Sequence, residues 1–418
     1  MNLLLVAYFY PPCRDTGAHR PAAMAKWQRR LGHRVTVLTT SAYGQGDPAG
    51  EEDVVRSADL QRLRARLHGR DRVDALFDSD TYSGRPHVLS RIVVPEPLVA
   101  AWAPFARRDA IRLNARERFD CVITSSPPES VHLVGRALRR RGVPWVADLR
   151  DGWTFEPIRP EFPTALQRRL DGRLERRWLG DADAVVCVSR PAADDLRGRL
   201  GLDPELIPNG WDPDLAADTT ATDAADRLLD PDRISLVYTG RFGSYGRDPT
   251  ALIRALAVLA KEVPEGAAKL ELVVAGPLTH EEALLMRSDV SPAKIVVAGA
   301  LARPDALALQ READALLLLA SARRTQLLNF KLFEYLAAGP PILALAAGTE
   351  AGRVVAEAGG EVVPADEVDA IVAALRRLAA EEVPPSDPEA RERYSYPRVA
   401  ERMAAAAQRA ISRALQHS

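Results

Sequence analysis

Short β-branched or leucine-rich runs alternate along the chain with longer arginine- and alanine-rich stretches of helical period, the pattern of a parallel sheet covered by helices. In the first half, runs at residues 3–7, 35–39, 121–125, 145–149 and 184–188 predict strands, each followed by a loop and helix-forming sequence. The series restarts at residues 234–239 and continues through 270–275, 295–298, 315–319, 342–345 and 361–363. The pattern is that of two doubly wound α/β domains. Residues 43–95 show no clear strand and many arginines, and read as an insertion after the second strand.

Turn chemistry at Ile207-Pro208-Asn209-Gly210-Trp211-Asp212-Pro213, followed by a polar stretch to residue 232, marks a boundary between the two series. A second boundary signal is Val383-Pro384-Pro385-Ser386-Asp387-Pro388. The expected organisation is a first domain over 1–206, a linker over 207–232, a second domain over 233–395 and a terminal helix over 396–418 that returns to the first domain.

Composition narrows the function classes. The 418 residues are 47% hydrophobic and 27% charged, which excludes disordered and fibrous chains. A formal charge of −1 gives no global field to recruit nucleic acid. Only five basic residues are lysine and 51 are arginine, so each lysine is informative. Cys13, Cys121 and Cys187 are too scattered for a disulfide scaffold or a zinc site, and point to a reduced, cytoplasmic setting. The opening apolar run reads as a strand and not as a signal peptide, and no run approaches the roughly 20 residues that span a bilayer.

Ligands of open parallel sheets sit beyond the carboxyl ends of the strands, so the loops there hold the candidate chemistry. The first, Tyr10-Pro11-Pro12-Cys13-Arg14-Asp15-Thr16-Gly17, lacks the GxGxxG of a dinucleotide fold, but Gly17 lets backbone approach a ligand. The second, Asp148-Leu149-Arg150-Asp151-Gly152-Trp153, suits hydroxyl recognition or proton handling, or else holds a local Asp–Arg pair. The third, Tyr238-Thr239-Gly240-Arg241-Phe242-Gly243-Ser244-Tyr245-Gly246-Arg247, offers two guanidinium groups to a diphosphate. The fourth runs from Arg323 through Gln326, Asn329, Lys331 and Glu334 to Gly339-Pro340-Pro341-Ile342, a polar loop leading into a short helix.

In this order the motifs, together with Leu31-Gly32-His33-Arg34-Val35-Thr36-Val37-Leu38 and Pro208-Asn209-Gly210-Trp211-Asp212, resemble those of the retaining GT-B glycosyltransferases of family 4. The resemblance implies two Rossmann-like domains facing each other across a cleft, closing about a hinge at residues 208–212, with a nucleotide-diphosphate sugar bound by the second. A saccharide, lipid-linked or small-molecule acceptor would be bound by the first. It implies retention, no metal, no cofactor beyond the nucleotide sugar as co-substrate, and a place in polysaccharide biosynthesis.

Carried onto this sequence, the resemblance makes Arg241 and Arg247 a diphosphate clamp, with Arg247 where the family usually has lysine. Glu334 matches the second glutamate of the family's Glu-x7-Glu motif, which holds the ribose, and Gln326 stands where the first is expected. Gly17, Asn329 and Lys331 complete the expected donor contacts, while Asp151, Arg150 and Arg241 are the expected catalytic residues. Two further readings share the architecture. A nucleotide-sugar epimerase would need carboxylates and a histidine that the motif loops supply sparsely, and a nucleotide-sugar-binding protein without transfer is suggested by Gln326. Residues 60–70 and 105–118 mix arginine with apolar residues at near-helical spacing, as interfacial helices and ordinary solvated faces both do. With the resemblance, they make peripheral contact with the inner membrane leaflet an expectation.

Overall fold

The computed structural model describes residues 1–13, 15–43, 53–62, 92–157, 161–217, 223–243, 246–321, 324–328, 330–383 and 386–416. Asn329, Arg323, most of the 43–95 insertion, residues 63–70 of the first interfacial candidate and Pro384-Pro385 lie outside them. The chain divides into two compact units, one made of Met1–Asn209 with Tyr396–Ser418 and the other of Gly210–Ser395.

The first unit carries a parallel sheet of strands β1 (Asn2–Ala7), β2 (Arg34–Thr40), β3 (Val54–Ser57), β4 (Cys121–Ser126), β5 (Trp145–Leu149), β6 (Ala184–Cys187) and β7 (Glu205–Leu206), in the order 3-2-1-4-5-6-7. Leu3 pairs with Val35 on one side and Cys121 on the other, fixing the register at the centre. Both faces are buried, and alternate residues feed two cores. Leu4, Val6, Val122 and Trp145 belong to one, and Leu3, Leu5, Val35 and Ile123 to the other. The second core is closed by α1 (His19–Arg30) and by the terminal helix Tyr396–Gln416, whose Val399, Ala400, Met403, Ala406 and Ala407 face inward. The Gln28 side chain donates to the Ala400 carbonyl at 2.7 Å, tying the two helices together.

The second unit repeats the plan with β8 (Ile234–Thr239), β9 (Leu270–Ala275), β10 (Lys294–Gly299), β11 (Ala315–Leu319), β12 (Ile342–Leu345) and β13 (Glu361–Val363), in the order 10-9-8-11-12-13. In both sheets the strand order reverses beside the first strand, between β1 and β4 and between β8 and β11. Loops leaving neighbouring strands diverge there and open a crevice, which is where such sheets hold ligands.

Two strands depart from the sequence reading. The stretch that showed no strand contributes β3, four residues paired only to β2, and β7 is two residues long at the opposite edge. Edge strands this short lack the continuous apolar run that marks the central ones. The stretch 210–232 contains two short helices, Pro213–Ala217 and Ala224–Leu228. Cys121 and Cys187 are fully buried on β4 and β6, with thiols pushed up by burial, and Cys13 is buried as well. Among the described residues no helix is long and apolar enough to cross a membrane.

Candidate functional site

The second unit's crevice is built at the ends of β8 and β11. Gly240 closes β8 with φ of 102°, a left-handed backbone that favours glycine. Its carbonyl packs so tightly on Gly276, just after β9, that a Cβ there would collide with it. Thr239 is held by its amide donating to the Tyr335 hydroxyl at 3.0 Å and by the Gln310 amide donating to its Oγ1 at 2.9 Å. The Tyr238 hydroxyl donates to the Arg241 carbonyl at 2.6 Å, and its ring stacks on Phe242 with centroids 4.1 Å apart. The start of the loop is therefore fixed, while Arg241 itself is exposed and Arg247 half-buried.

Helix Phe330–Ala338, which follows β11, brings Lys331 onto this loop. Its Nζ lies 3.6 Å from the Tyr238 ring centroid, is buried, and has no hydrogen-bond partner among the described residues. A Cβ on Gly240 would come within 3.0 Å of it. Burial pulls the Lys331 ammonium down to about 6, and the neighbouring Arg247 pushes it the same way while Glu334 opposes. Such an amine is poised for an anion. Glu334 does not pair with Lys331 but with Arg303, Oε1 to Nη1 at 2.9 Å. Gln326 is buried in the loop between β11 and the helix.

In the first unit the loops after β1, β4 and β5 are tied by two arginines. Arg20 forms a buried ion pair with Asp148 at 2.8 Å and donates to the carbonyls of Ile207 and Pro208. Ser125 Oγ donates to the same carboxylate at 2.8 Å. The acidic partner in the Asp148–Trp153 loop thus meets an arginine from α1 and not its neighbour Arg150. The Arg150 guanidinium is buried and donates to the carbonyls of Ser126, Pro127 and Gly17. Gly17's own amide donates to Asp15 Oδ1 at 2.7 Å. Asp151 is half-buried at the head of the following loop. His132 is buried between Thr124 and Ser126, at 2.8 and 2.9 Å, and stacks on Trp153, with burial driving its imidazolium down to about 3.

The structure therefore gathers Arg247, Lys331 and Glu334 around the β8 loop in one unit, with Arg241 on that loop, and gathers Gly17 and Arg150 in the other. Sequence reasoning passed over the roles of Tyr238, Gly276 and Arg303. Gly276 follows a strand directly and could have been singled out, whereas Arg303 is lost in the arginine background. No group of three or more His, Cys, Asp or Glu side chains converges as a metal site among the described residues.

Residues 21–215 match the model of Glycosyltransferase Family 4, and residues 233–381 match that of Glycosyl transferases group 1. The chain is a family 4-like GT-B glycosyltransferase. The solved structures similar to this glycosyltransferase include a sucrose-phosphate synthase from Thermosynechococcus elongatus, 17% identical over 97% of each chain with a TM-score of 0.61. HepE of Anabaena in complex with UDP is 16% identical, over 97% of this chain and 99% of that one, with a TM-score of 0.59. A UDP-forming α,α-trehalose-phosphate synthase from Burkholderia xenovorans, in complex with glucose-6-phosphate, is 14% identical, over 98% and 100%, with a TM-score of 0.58. At these identities the likeness establishes the GT-B fold. No curated protein matches the glycosyltransferase significantly in sequence.

Proposed function

We propose that this glycosyltransferase takes its sugar from a nucleotide-diphosphate donor held by the second unit and passes it, with retention, to a saccharide or lipid-linked acceptor taken by the first. The observation that carries the reading is the buried amine of Lys331, which lacks a hydrogen-bond partner beside Arg247 and over Tyr238. A diphosphate supplies the acceptor atoms that amine lacks, and Arg241 and Arg247 supply bidentate donors to the same group.

In the reaction the bond from sugar C1 to the diphosphate oxygen breaks and its electron pair leaves on the phosphate. The acceptor oxygen bonds to C1 on the same face, and Asp151 is the proposed recipient of its proton. Fixed cations lower the barrier because negative charge grows on the leaving group, and this cluster serves the purpose that a metal ion serves elsewhere. Arg150 acts through the carbonyls of Gly17, Ser126 and Pro127, holding the first unit's loops in place. Glu334 is proposed to hold the ribose after exchanging its Arg303 partner for sugar hydroxyls, with Gln326 and Asn329 nearer the donor sugar. HepE, a structural neighbour, is solved with UDP, which makes uridine donors the first to try.

A mass-spectrometric screen of UDP-, GDP-, ADP- and TDP-sugars, following nucleoside diphosphate release with saccharide and polyprenyl-phosphate acceptors, tests the proposal. Acceptor-dependent release that Arg241→Ala abolishes supports it. Tight donor binding with no release from any pair, or full transfer by Arg241→Ala, contradicts it.

A further inference from the structure

Phe9 leaves the carboxyl end of β1, beside the crevice that opens between β1 and β4. It is half-buried, so part of the ring stays open to solvent. Its inner contacts are aromatic. Tyr8 meets it edge to face with centroids 5.2 Å apart, and Tyr43 lies tilted against it at 6.1 Å. Gly17 has no side chain beside the ring, where a Cβ would lie 3.1 Å from Phe9 Cδ2. An aromatic ring exposed at a strand's carboxyl end and bordered by glycine suits a ligand with an apolar face.

Tyr8 is in turn held by a buried carboxylate. Its hydroxyl donates to Asp59 Oδ2 at 2.9 Å, and the Thr40 hydroxyl donates to the same oxygen at 2.6 Å. Asp59 Oδ1 accepts from the Gln61 amide at 2.8 Å. Asp59 thus joins the loops that leave β1, β2 and β3. No cation pairs with it among the described residues, and burial raises its carboxyl above the usual range while the three donors pull the other way. A buried carboxylate without a cation is costly, and packing of the loops alone would not require one. Its effect is to fix Tyr8, whose ring also meets Trp102 edge to face at 5.3 Å, so that Phe9 stands on an anchored aromatic base.

We propose that the Phe9 ring is a stacking platform for a pyranose ring of the acceptor, and that Asp59, acting through Tyr8, is the positioning residue that sets its angle. A pyranose presents a face of axial C–H groups that packs on an aromatic ring, while the hydroxyls around its rim stay free for polar partners. Asp15 is exposed beside Gly17, whose amide it accepts, and its second carboxylate oxygen is available to such a hydroxyl. The inference rests on the functional reading for the reaction and names its acceptor as one that carries a pyranose, free or lipid-linked.

Saturation-transfer NMR of the full chain with the methyl pyranosides of glucose, galactose, mannose and N-acetylglucosamine tests the platform without any turnover. Expected is saturation of the ring C–H protons of at least one, lost in Phe9→Ala and retained in Phe9→Trp. Steady-state kinetics with a saccharide acceptor then separates the two roles. Phe9→Ala is expected to raise the acceptor KM about tenfold or more with kcat within about threefold. Tyr8→Phe, which keeps the ring and removes only the hydroxyl, is expected to raise that KM about threefold, and Asp59→Ala to raise it further, with Asp59→Asn recovering part of the loss. Unchanged thermal melting and donor affinity report that the variants fold. No pyranoside bound by the parent, or saturation undiminished in Phe9→Ala, overturns the platform, while diphosphate binding in a donor titration leaves the functional reading standing. A KM rise in Phe9→Ala that is as large for a polyprenyl phosphate, which carries no sugar ring, also overturns it. An acceptor KM unmoved by Tyr8→Phe overturns the part assigned to Asp59.

Discussion

The Lys331 Nζ lies 3.6 Å above the centroid of the Tyr238 ring, a contact between the first turn of a helix and the penultimate residue of β8. The ring's face attracts the ammonium form but provides no lone pair to accept its protons. The amine is therefore partly solvated by π electrons and otherwise dry, and its affinity for a proton depends on what else enters the crevice.

With its proton held at about 6, Lys331 is mostly neutral at pH 7.5 in the free protein. A bound diphosphate favours the charged form, so binding takes up a proton. Affinity for a nucleoside diphosphate is expected to strengthen by up to about tenfold per unit as pH falls from about 8 toward 6. Calorimetry in two buffers of different ionisation enthalpy reads the uptake directly. Proton release on binding, or none exchanged, would contradict it.

Gly276→Ala is expected to cost about 1–3 kcal/mol, since its Cβ would meet the Gly240 carbonyl, which is backbone and cannot rotate away. The β8 loop would shift with it, so nucleotide affinity should fall together with the urea midpoint. A variant with both unchanged would show the approach to be looser than described.

The Arg20–Asp148 pair is a buried junction between α1, β5 and the backbone at residues 207–208. Removing one partner leaves an uncompensated charge, and Arg20→Ala is expected to destabilise the protein by about 3–5 kcal/mol. Equilibrium urea unfolding checks this, with a loss under about 1 kcal/mol as the contrary result.

His132 gives the protein an acid limit. Burial lowers its folded-state value to about 3, outweighing the opposing pull of Asp148, so the unfolded chain binds the proton more readily. That contribution to stability is fully present above the unfolded value near 6.5 and is lost as pH falls through it toward 3. His132→Gln should flatten the fall in urea midpoint between about pH 6.5 and pH 4 relative to the parent protein. An identical pH profile would assign the acid limit to other groups.

Much of the fold is legible in the chain because a doubly wound sheet buries both faces of its strands. Runs such as Leu316 to Leu319 announce themselves without any partner being known. β3 and β7 escape because a short edge strand is defined by what it pairs with. The same division holds at the site. Arg241 and Arg247 are visible as charged residues in a strand-end loop, and Lys331 and Glu334 as charged residues of the helix that follows the next one. The ring under Lys331, the Arg303 partner of Glu334 and the carbonyl cage of Arg150 are relations between distant segments, and no spacing encodes them.

Lys331 and its neighbouring guanidinium groups are proposed to form a diphosphate site. Titration of uridine and of UDP, or of the pair whose base the donor screen selects, into the parent protein and Lys331→Met tests it most directly. The parent is expected to prefer the diphosphate by about a hundredfold or more, and Lys331→Met to erase at least about tenfold of that preference while leaving nucleoside binding unchanged. An undiminished preference in Lys331→Met, or a parent protein that does not distinguish the two, would contradict it.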